Sequence, residues 1–242
     1  MKLVVISDIH GNLEAFTRVL ERIDRIMPDR VICLGDNIGY GPDSNTVVEM
    51  IRERGIESIL GNHEMAAKDP RFLACFNPVA QESVRHMNAT LTDKVLDTIR
   101  TFRKALVKDG IRFVHGAPEQ SPFLYLYQFS DSGLAAKMRK MKERICFAGH
   151  THELELIRLD PEGRLYRKEL KEGPVFLQND AKYIINAGSV GQPRDGDNNA
   201  KLVVYDSEES RIEVVFVPYE FRKTAEKIVK AGLPGSFADK LY

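Results

Sequence analysis

The chain has 242 residues, and its 35 Lys plus Arg balance 35 Asp plus Glu to a formal net charge of zero. That length allows one sizeable domain with a well-buried core. Zero net charge argues against a protein that grips nucleic-acid backbones, which carries a basic excess. No apolar run reaches the roughly 20 residues of a membrane helix, so no membrane partner is expected. Residues 2–6 read as a strand rather than as a leader with a cleavage pattern. Cys33, Cys75 and Cys146 are odd in number and widely spaced. Cys33 and Cys146 lie in apolar strand-like runs and read as buried, reduced thiols, which fits a cytoplasmic location.

In chain order, residues 3–7 form an apolar run that predicts a strand. Leu13, Phe16, Leu20 and Ile23 then recur at helical spacing, with Asn12 as N-cap. Residues 31–34 predict a second strand. A helix opens at Asn45, carries Val47, Val48 and Ile51, and stops at Gly55, and residues 56–60 predict a third strand. Such alternation predicts parallel strands with helices on both sides. Residues 65–110 break the pattern: helical stretches up to Asn88 and over 93–102, and no evident strand, predict a helical insert over one side of a site. The sheet resumes at 111–115, a helix is expected over 131–143, and a strand over 145–148. Residues 153–159 and 164–170 flank an Asp160-Pro161-Glu162-Gly163 turn and predict a hairpin. Strands over 183–187, 202–205 and 212–217 and a helix around 221–231 complete the chain. There is no internal repeat and no linker, so residues 1–242 are expected to form a single domain.

Five short motifs end apolar, strand-prone runs: Asp8-Ile9-His10, Gly35-Asp36-Asn37, Gly61-Asn62-His63-Glu64, His115-Gly116 and Gly149-His150-Thr151-His152. In a strand, side chains two apart share a face, so Asp8 and His10 can reach one ion, as can His150 and His152. Ligand sites of open α/β sheets gather beyond the carboxyl ends of strands. Any one of these motifs alone says little; a lone Asp-x-His is common. Their coincidence at strand ends points to ligands for two adjacent divalent ions from Asp8, His10, Asp36, Asn62, His115, His150 and His152. Asp36 is the best candidate for a bridging carboxylate. Mixed His, Asp and Asn ligation suits Mn, Fe, Zn, Co or Ni rather than Ca, and a structural zinc site would favour cysteine pairs. Such a pair of ions splits phosphate esters by attack of a metal-bridging hydroxide. His86, the one histidine outside the motifs, is assigned no role.

The order of these motifs resembles the signature of the calcineurin-like metallophosphoesterase superfamily over residues 8–152. The stretch from Asn186 to Arg194 resembles the loop that follows in its small bacterial and archaeal phosphodiesterase-like branch. The resemblance implies a sandwich of two mixed β-sheets flanked by helices, with the dimetal site at strand ends. It implies one ion on Asp8, His10, Asp36 and His152, and a second on Asp36, Asn62, His115 and His150. His63 would then stand near the leaving oxygen, as a group that protonates or stabilises it, help worth about 10² to 10⁴ in rate. One departure stands out. Protein Ser/Thr phosphatases of this superfamily carry an Asp and an Arg shortly after Gly-Asp, the Asp to orient the His and the Arg to grip phosphate. Here those positions are Gly39 and Tyr40. Arg194 is either a surrogate guanidinium or a surface residue.

These residues predict a hydrolase of small phosphate esters with catalytic His63 and Asp36 and with Asn62 and Arg194 at the substrate. A diester carries less charge and tolerates the lost Arg better than a monoester dianion, which favours a phosphodiesterase acting on a nucleotide-like or other small diester. Phosphomonoesters, phosphoproteins and dinucleoside polyphosphates are the alternatives. A non-catalytic interaction module on the same fold is the rival of another class, and the intact ligand set weighs against it. Tyr40, Phe72, Phe76, Phe123, Tyr125 and Tyr127 offer aromatic surface for a base or for the core. The oligomeric state is not legible.

Overall fold

The computed structural model describes residues 1–119 and 121–242, and its first strand, β1 (Lys2–Ile6), shows how the layers arise. Leu3 and Val5 point into one buried cluster, Val4 and Ile6 into another. A strand apolar on both faces must be covered on both, which is why its sequence reads as a continuous apolar run instead of an alternation.

The remaining strands are β2 (Arg30–Cys33), β3 (Glu57–Ser58), β4 (Ala105–Lys108), β5 (Ile111–Val114), β6 (Ile145–Ala148), β7 (Leu154–Leu159), β8 (Leu165–Glu169), β9 (Gly173–Phe176), β10 (Lys182–Ala187), β11 (Ala200–Asp206) and β12 (Arg211–Val217). The helices are α1 (Leu13–Ile26), α2 (Ser44–Glu53), α3 (Asn62–Lys68), α4 (Pro78–Thr90), α5 (Asp93–Thr101), α6 (Asp131–Lys140), α7 (Phe221–Lys230) and α8 (Gly235–Asp239).

Two mixed sheets of six strands result, in the orders β3-β2-β1-β11-β12-β9 and β4-β5-β6-β10-β7-β8. Their inner faces meet through Leu3, Val5, Ile32 and Val203 on one side and Phe113, Phe147, Tyr183 and Ile185 on the other. The outer face of the first sheet is covered by α1 and α2 through Phe16, Val19, Val47 and Ile51. The outer face of the second is covered by α6 through Leu134 and Met138. The expected sandwich is therefore present. Helices lie on both sides of the molecule, but each sheet has them on one face only, because its other face is spent on the partner sheet. No helix of the described residues is long and apolar enough to cross a membrane.

Each sheet holds one parallel trio. In the first, β1 pairs with β2 and β2 with β3; in the second, β5 pairs with β6 and β6 with β10. The carboxyl ends of these six strands supply the loops described below.

Several local expectations change. Residues 65–110 contain a strand, β4, that pairs antiparallel with β5. Asp109 and Gly110 between them both have positive φ, the two-residue hairpin geometry that an Asp-Gly pair favours. The third strand shrinks to Glu57–Ser58 plus a single bridge from Ile59 to Arg103. Helix α2 begins at Ser44 instead of Asn45. The short edge strand β9 and the five-residue α8 carry too few residues for a periodic signal. Asn12 caps α1 as expected, its Oδ1 accepting from the Ala15 N–H at 3.1 Å. Cys33 and Cys146 are buried free thiols, and Cys75 is exposed. Burial pushes the Cys146 thiol up to about 12 and Cys33 higher still, so neither is a thiolate at neutral pH.

Candidate metal centre

The motif loops leave the ends of β1, β2, β3, β5 and β6, and a sixth loop, 188–199, leaves β10. The side chains of Asp8, His10, Asp36, Asn62, His63, His115, His150 and His152 are all buried there. Asp8 and His10 lie past the end of β1, and His150 and His152 past the end of β6. Strand alternation is thus not what aligns each pair. Asp8, His10, Asp36, Tyr40, His150 and His152 all have left-handed backbones with φ from 51° to 70°. They are six of the nine non-glycine residues with positive φ among those described. Such backbone costs of order 1 kcal/mol or more each, and its concentration here marks a functional site.

The donor atoms fall into two lobes. In one, Asp8 Oδ1 lies 3.3 Å from His152 Nε2 and 3.7 Å from His10 Nε2. The two Nε2 atoms approach to 3.0 Å. In the other, His115 Nε2 lies 3.0 Å from Asn62 Oδ1 and 3.1 Å from His150 Nδ1. Asp36 Oδ2 stands between the lobes, 3.8 Å from His10 Nε2 and 3.3 Å from His115 Nε2. Its Oδ1 accepts the His63 N–H at 2.9 Å, which fixes the carboxylate plane. Gly61 is obligatory beside it, because a Cβ there would stand 2.0 Å from Asp36 Oδ1.

This arrangement fits cations. The far nitrogens of three imidazoles face backbone carbonyls: His10 Nδ1 and Ile38 O at 3.1 Å, His115 Nδ1 and Leu34 O at 2.8 Å, His152 Nδ1 and Gln192 O at 2.6 Å. A carbonyl only accepts, so each Nδ1 carries the proton; Nε2 of His10 and of His152 then points a lone pair into the cluster, and Nε2 of His115 does so once its own proton leaves. Two lone pairs facing each other at 3.0 Å repel unless a positive charge lies between them. Asp8 Oδ1 is buried with no hydrogen-bond partner, as are both ring nitrogens of His63 and Nε2 of His150. Three-residue groups with donor atoms within 4.8 Å of one another are Asp8, His10 and His152; His10, Asp36 and His63; and Asp36, His115 and His150. Two ions sharing Asp36 would be held by Asp8, His10 and His152 on one side and Asn62, His115 and His150 on the other.

Charges follow the same geometry. Burial raises the Asp8 carboxyl, but His152 outweighs it and holds it low; His115 does the same for Asp36. Burial lowers His10, His150 to about 3 and His63 to about 4. His115 runs the other way: burial lowers it, but Asp36 lifts it to about 9. His115 is thus protonated at neutral pH before an ion binds, and its proton must leave for Nε2 to serve as a ligand. The affinity for Mn²⁺ is expected to rise by about tenfold per pH unit up to about pH 9, with proton release visible by calorimetry in buffers of different ionisation enthalpy. A rise that levels near the ordinary imidazole value of 6.5 would contradict this assignment.

Residues outside the expected set complete the centre. Glu64 is fully buried and accepts from the N–H groups of Asp36 at 2.9 Å, Asn37 at 2.7 Å and Gly61 at 2.9 Å, tying two motif loops together. Burial raises its pKa to about 7. Its sequence signal is an acidic residue at the third position of α3, reaching back to the helix start. Lys201 is fully buried and pairs with Asp195 at 2.9 Å and Asp197 at 3.1 Å. It anchors the loop that carries Gln192 and Arg194; a lone Lys at the head of an apolar strand is its only trace in sequence. Arg194 donates its N–H to His152 O at 3.1 Å and an Nη2 hydrogen to Gln192 Oε1 at 3.1 Å, while its Nε is buried without a partner. Its charge bears on His152, Tyr40 and Tyr125, so it faces the centre and is not a detached surface residue.

Aromatic rings cover the cluster. Tyr125 stacks on His150 at 3.8 Å and 16°, and Tyr127 stacks on Tyr125 at 4.9 Å. Tyr40 packs against His10 at 4.4 Å and His63 at 4.7 Å, and Phe76 against His63 at 5.0 Å. Phe72 and Phe123 stack together one layer further out. His86 is exposed on α4, away from this set. A cavity of about 520 Å³ is lined by residues in 56–59, 101–103 and 106–108 and by no motif residue.

Comparison with known proteins agrees with this geometry. The protein MJ0912 of Methanocaldococcus jannaschii is 35% identical over 244 residues, 99% of this chain and 97% of that one. The crystal structure of a metallophosphoesterase from Sphaerobacter thermophilus shares 30% identity and superposes with a TM-score of 0.85 over 100% of this chain and 98% of that one. The symmetrical bis(5'-nucleosyl)-tetraphosphatase of Delftia acidovorans is 32% identical over 108 residues, only 41% of this chain and 37% of that one. The model of the calcineurin-like phosphoesterase superfamily domain matches residues 1–210, a span that contains all five motif loops. By that match the chain belongs to the calcineurin-like phosphoesterase superfamily.

Proposed function

We propose that this protein is a dimetal phosphodiesterase of small esters, with residues 1–242 acting as one domain. The observation that carries this is the pair of lobes sharing Asp36, in which imidazole lone pairs oppose each other. Two divalent transition-metal ions bound there would supply Lewis acidity to the phosphoryl oxygens and an activated water. Mn, Fe, Co, Ni and Zn all suit the donor set.

The chain's own groups do the rest. Asn62 and Arg194 flank the cluster and can bind non-bridging oxygens. His63 faces it with two unpartnered ring nitrogens. Because burial lowers its pKa to about 4, His63 is neutral at pH 7. It therefore serves the leaving oxygen as an N–H hydrogen-bond donor, and not as a stored proton. Position 39 explains what became of the orienting carboxylate of the protein phosphatases. A Cβ on Gly39 would stand 2.1 Å from His63 Nδ1, so the ring occupies the space itself. Arg194 lies beside His152, and one guanidinium matches a diester monoanion better than a monoester dianion.

The test is a comparison of kcat/KM for an aryl phosphodiester and for phosphoserine peptides, with the same ions. The diester is expected to be the better substrate, and Arg194→Ala is expected to harm an aryl monoester more than the diester. Preference for phosphopeptides would overturn the choice of substrate class. Preference for a dinucleoside polyphosphate, the substrate named for the partially matching Delftia protein, would redirect it.

A further inference from the structure

The last 32 residues, 211–242, lie beyond the span matched by the family domain, yet they reach the centre at two points. Thr224 Oγ1 donates to Asn12 Oδ1 at 2.9 Å, and Asn12 Nδ2 donates to Tyr219 Oη at 3.2 Å, two residues after His10. Lys227 lies 3.2 Å from Glu14 and also pairs with Asp43, clamping α7 to the start of α1 and of α2. The second point is Phe237 on α8. It is 3% exposed and packs on the Tyr40 ring at 4.6 Å and 37°. Among the described residues, Tyr40 is the only one from outside the C-terminal segment in the small core of Ile228, Leu233, Phe237 and Leu241. On its other side Tyr40 meets His63 edge-on at 4.7 Å and 75°.

His63 needs such a support. Among the described residues no side chain or backbone group hydrogen-bonds its ring, and Gly39 offers none. What surrounds it is aromatic: Tyr40, Phe76 and His10, each crossing it at 75° or more with centroids within 5.0 Å. Edge-to-face contacts of this kind fix ring orientation.

Resting on the phosphodiesterase reading above, we propose that the C-terminal α7–α8 hairpin is a positioning element, in which Phe237 holds Tyr40 as the wall that orients His63 toward the leaving oxygen. Tyr40 and Phe237 are positioning residues; His63 is the group that meets substrate. An aromatic box thereby performs the orienting done by a carboxylate in the protein Ser/Thr phosphatases.

The test uses the full chain loaded with Zn²⁺, ¹⁵N-labelled at histidine, with variants Phe237→Leu, Tyr40→Leu and Tyr40→Phe. Each is read by metal content, by the His63 ring resonances and by kcat/KM over aryl phosphodiesters of graded leaving-group pKa. Phe237→Leu and Tyr40→Leu are expected to keep their metal, to shift or broaden the His63 resonances, and to lose about 10-fold in rate with the poorest leaving groups and little with the best. Tyr40→Phe keeps the ring and is expected to leave the His63 resonances as in the parent protein. Unchanged His63 resonances in both leucine variants would overturn the proposal, as would equal losses across all leaving groups or loss of metal. If Phe237→Leu fails to fold, Tyr40→Leu with its phenylalanine counterpart decides alone. If the parent protein cleaves no ester, the phosphodiesterase reading fails, and the resonances still decide the positioning.

Discussion

Replacing Asp36 by Asn is expected to lower hydrolysis by about 10³-fold or more and to weaken ion binding in both lobes at once. Among the described residues, Asp36 Oδ2 is the carboxylate oxygen that lies within 4 Å of both His10 Nε2 and His115 Nε2. An amide in its place removes the negative charge and can turn an N–H₂ toward donor atoms that already lack protons. A loss of several kcal/mol in charge stabilisation corresponds to about that factor in rate. The fold is expected to persist, because an Asn Oδ1 can still accept the His63 N–H that Asp36 Oδ1 accepts now. Asp8→Asn, by contrast, is expected to weaken only the lobe of His10 and His152. Elemental analysis with parallel rate measurements separates the two. An Asp36→Asn protein that retained two tightly held ions would contradict the shared-carboxylate geometry.

His63→Ala is expected to leave ion content intact and to slow hydrolysis by about 10² to 10³-fold, the usual cost of one lost donor to a developing oxyanion. The loss is expected to grow as the leaving group becomes poorer, because more charge then develops on the departing oxygen. Among the described residues, the hydrogen bond from His63 to the ligand set is its backbone N–H to Asp36, which alanine keeps, and its ring packs edge-on against His10 at 4.8 Å. Burial holds the imidazole neutral down to about pH 4, so the parent protein is expected to show no loss of His63 function between pH 5 and pH 7. A uniform loss across leaving groups would reduce His63 to a residue that only places the substrate.

How far the sequence carried depends on the kind of information each feature leaves. The parallel pairing of the first strands was legible because β1 and β2 read as apolar runs alternating with helices, whereas the parallel pairing of β10 with β6 left no such pattern. The motif residues were legible by type and order, and the structure brings them together, with Arg194 beside His152. Their alignment was misread: left-handed loop residues at Asp8, His10, His150 and His152, and not strand alternation, converge the ligands. β4 was missed although Asp109-Gly110 marks its hairpin. Lys201 and Phe237 left almost no trace, since Lys201 acts by ion pairs within its own loop and Phe237 through a contact with the distant Tyr40; Glu64 was visible in its motif, but its hold on the distant Asp36 loop was not. Arg194 was undecided in sequence because burial of its Nε and its approach to His152 are facts of packing.

The proposed phosphodiesterase would hold two ions on its buried His, Asp and Asn side chains and would depend on both for hydrolysis. The decisive measurement strips the protein of metal and follows hydrolysis of an aryl phosphodiester as Mn²⁺ is added back in known equivalents. Activity is expected to rise until two equivalents per chain are bound and then to stay level. Saturation at one equivalent, or no hydrolysis at any loading, would contradict it.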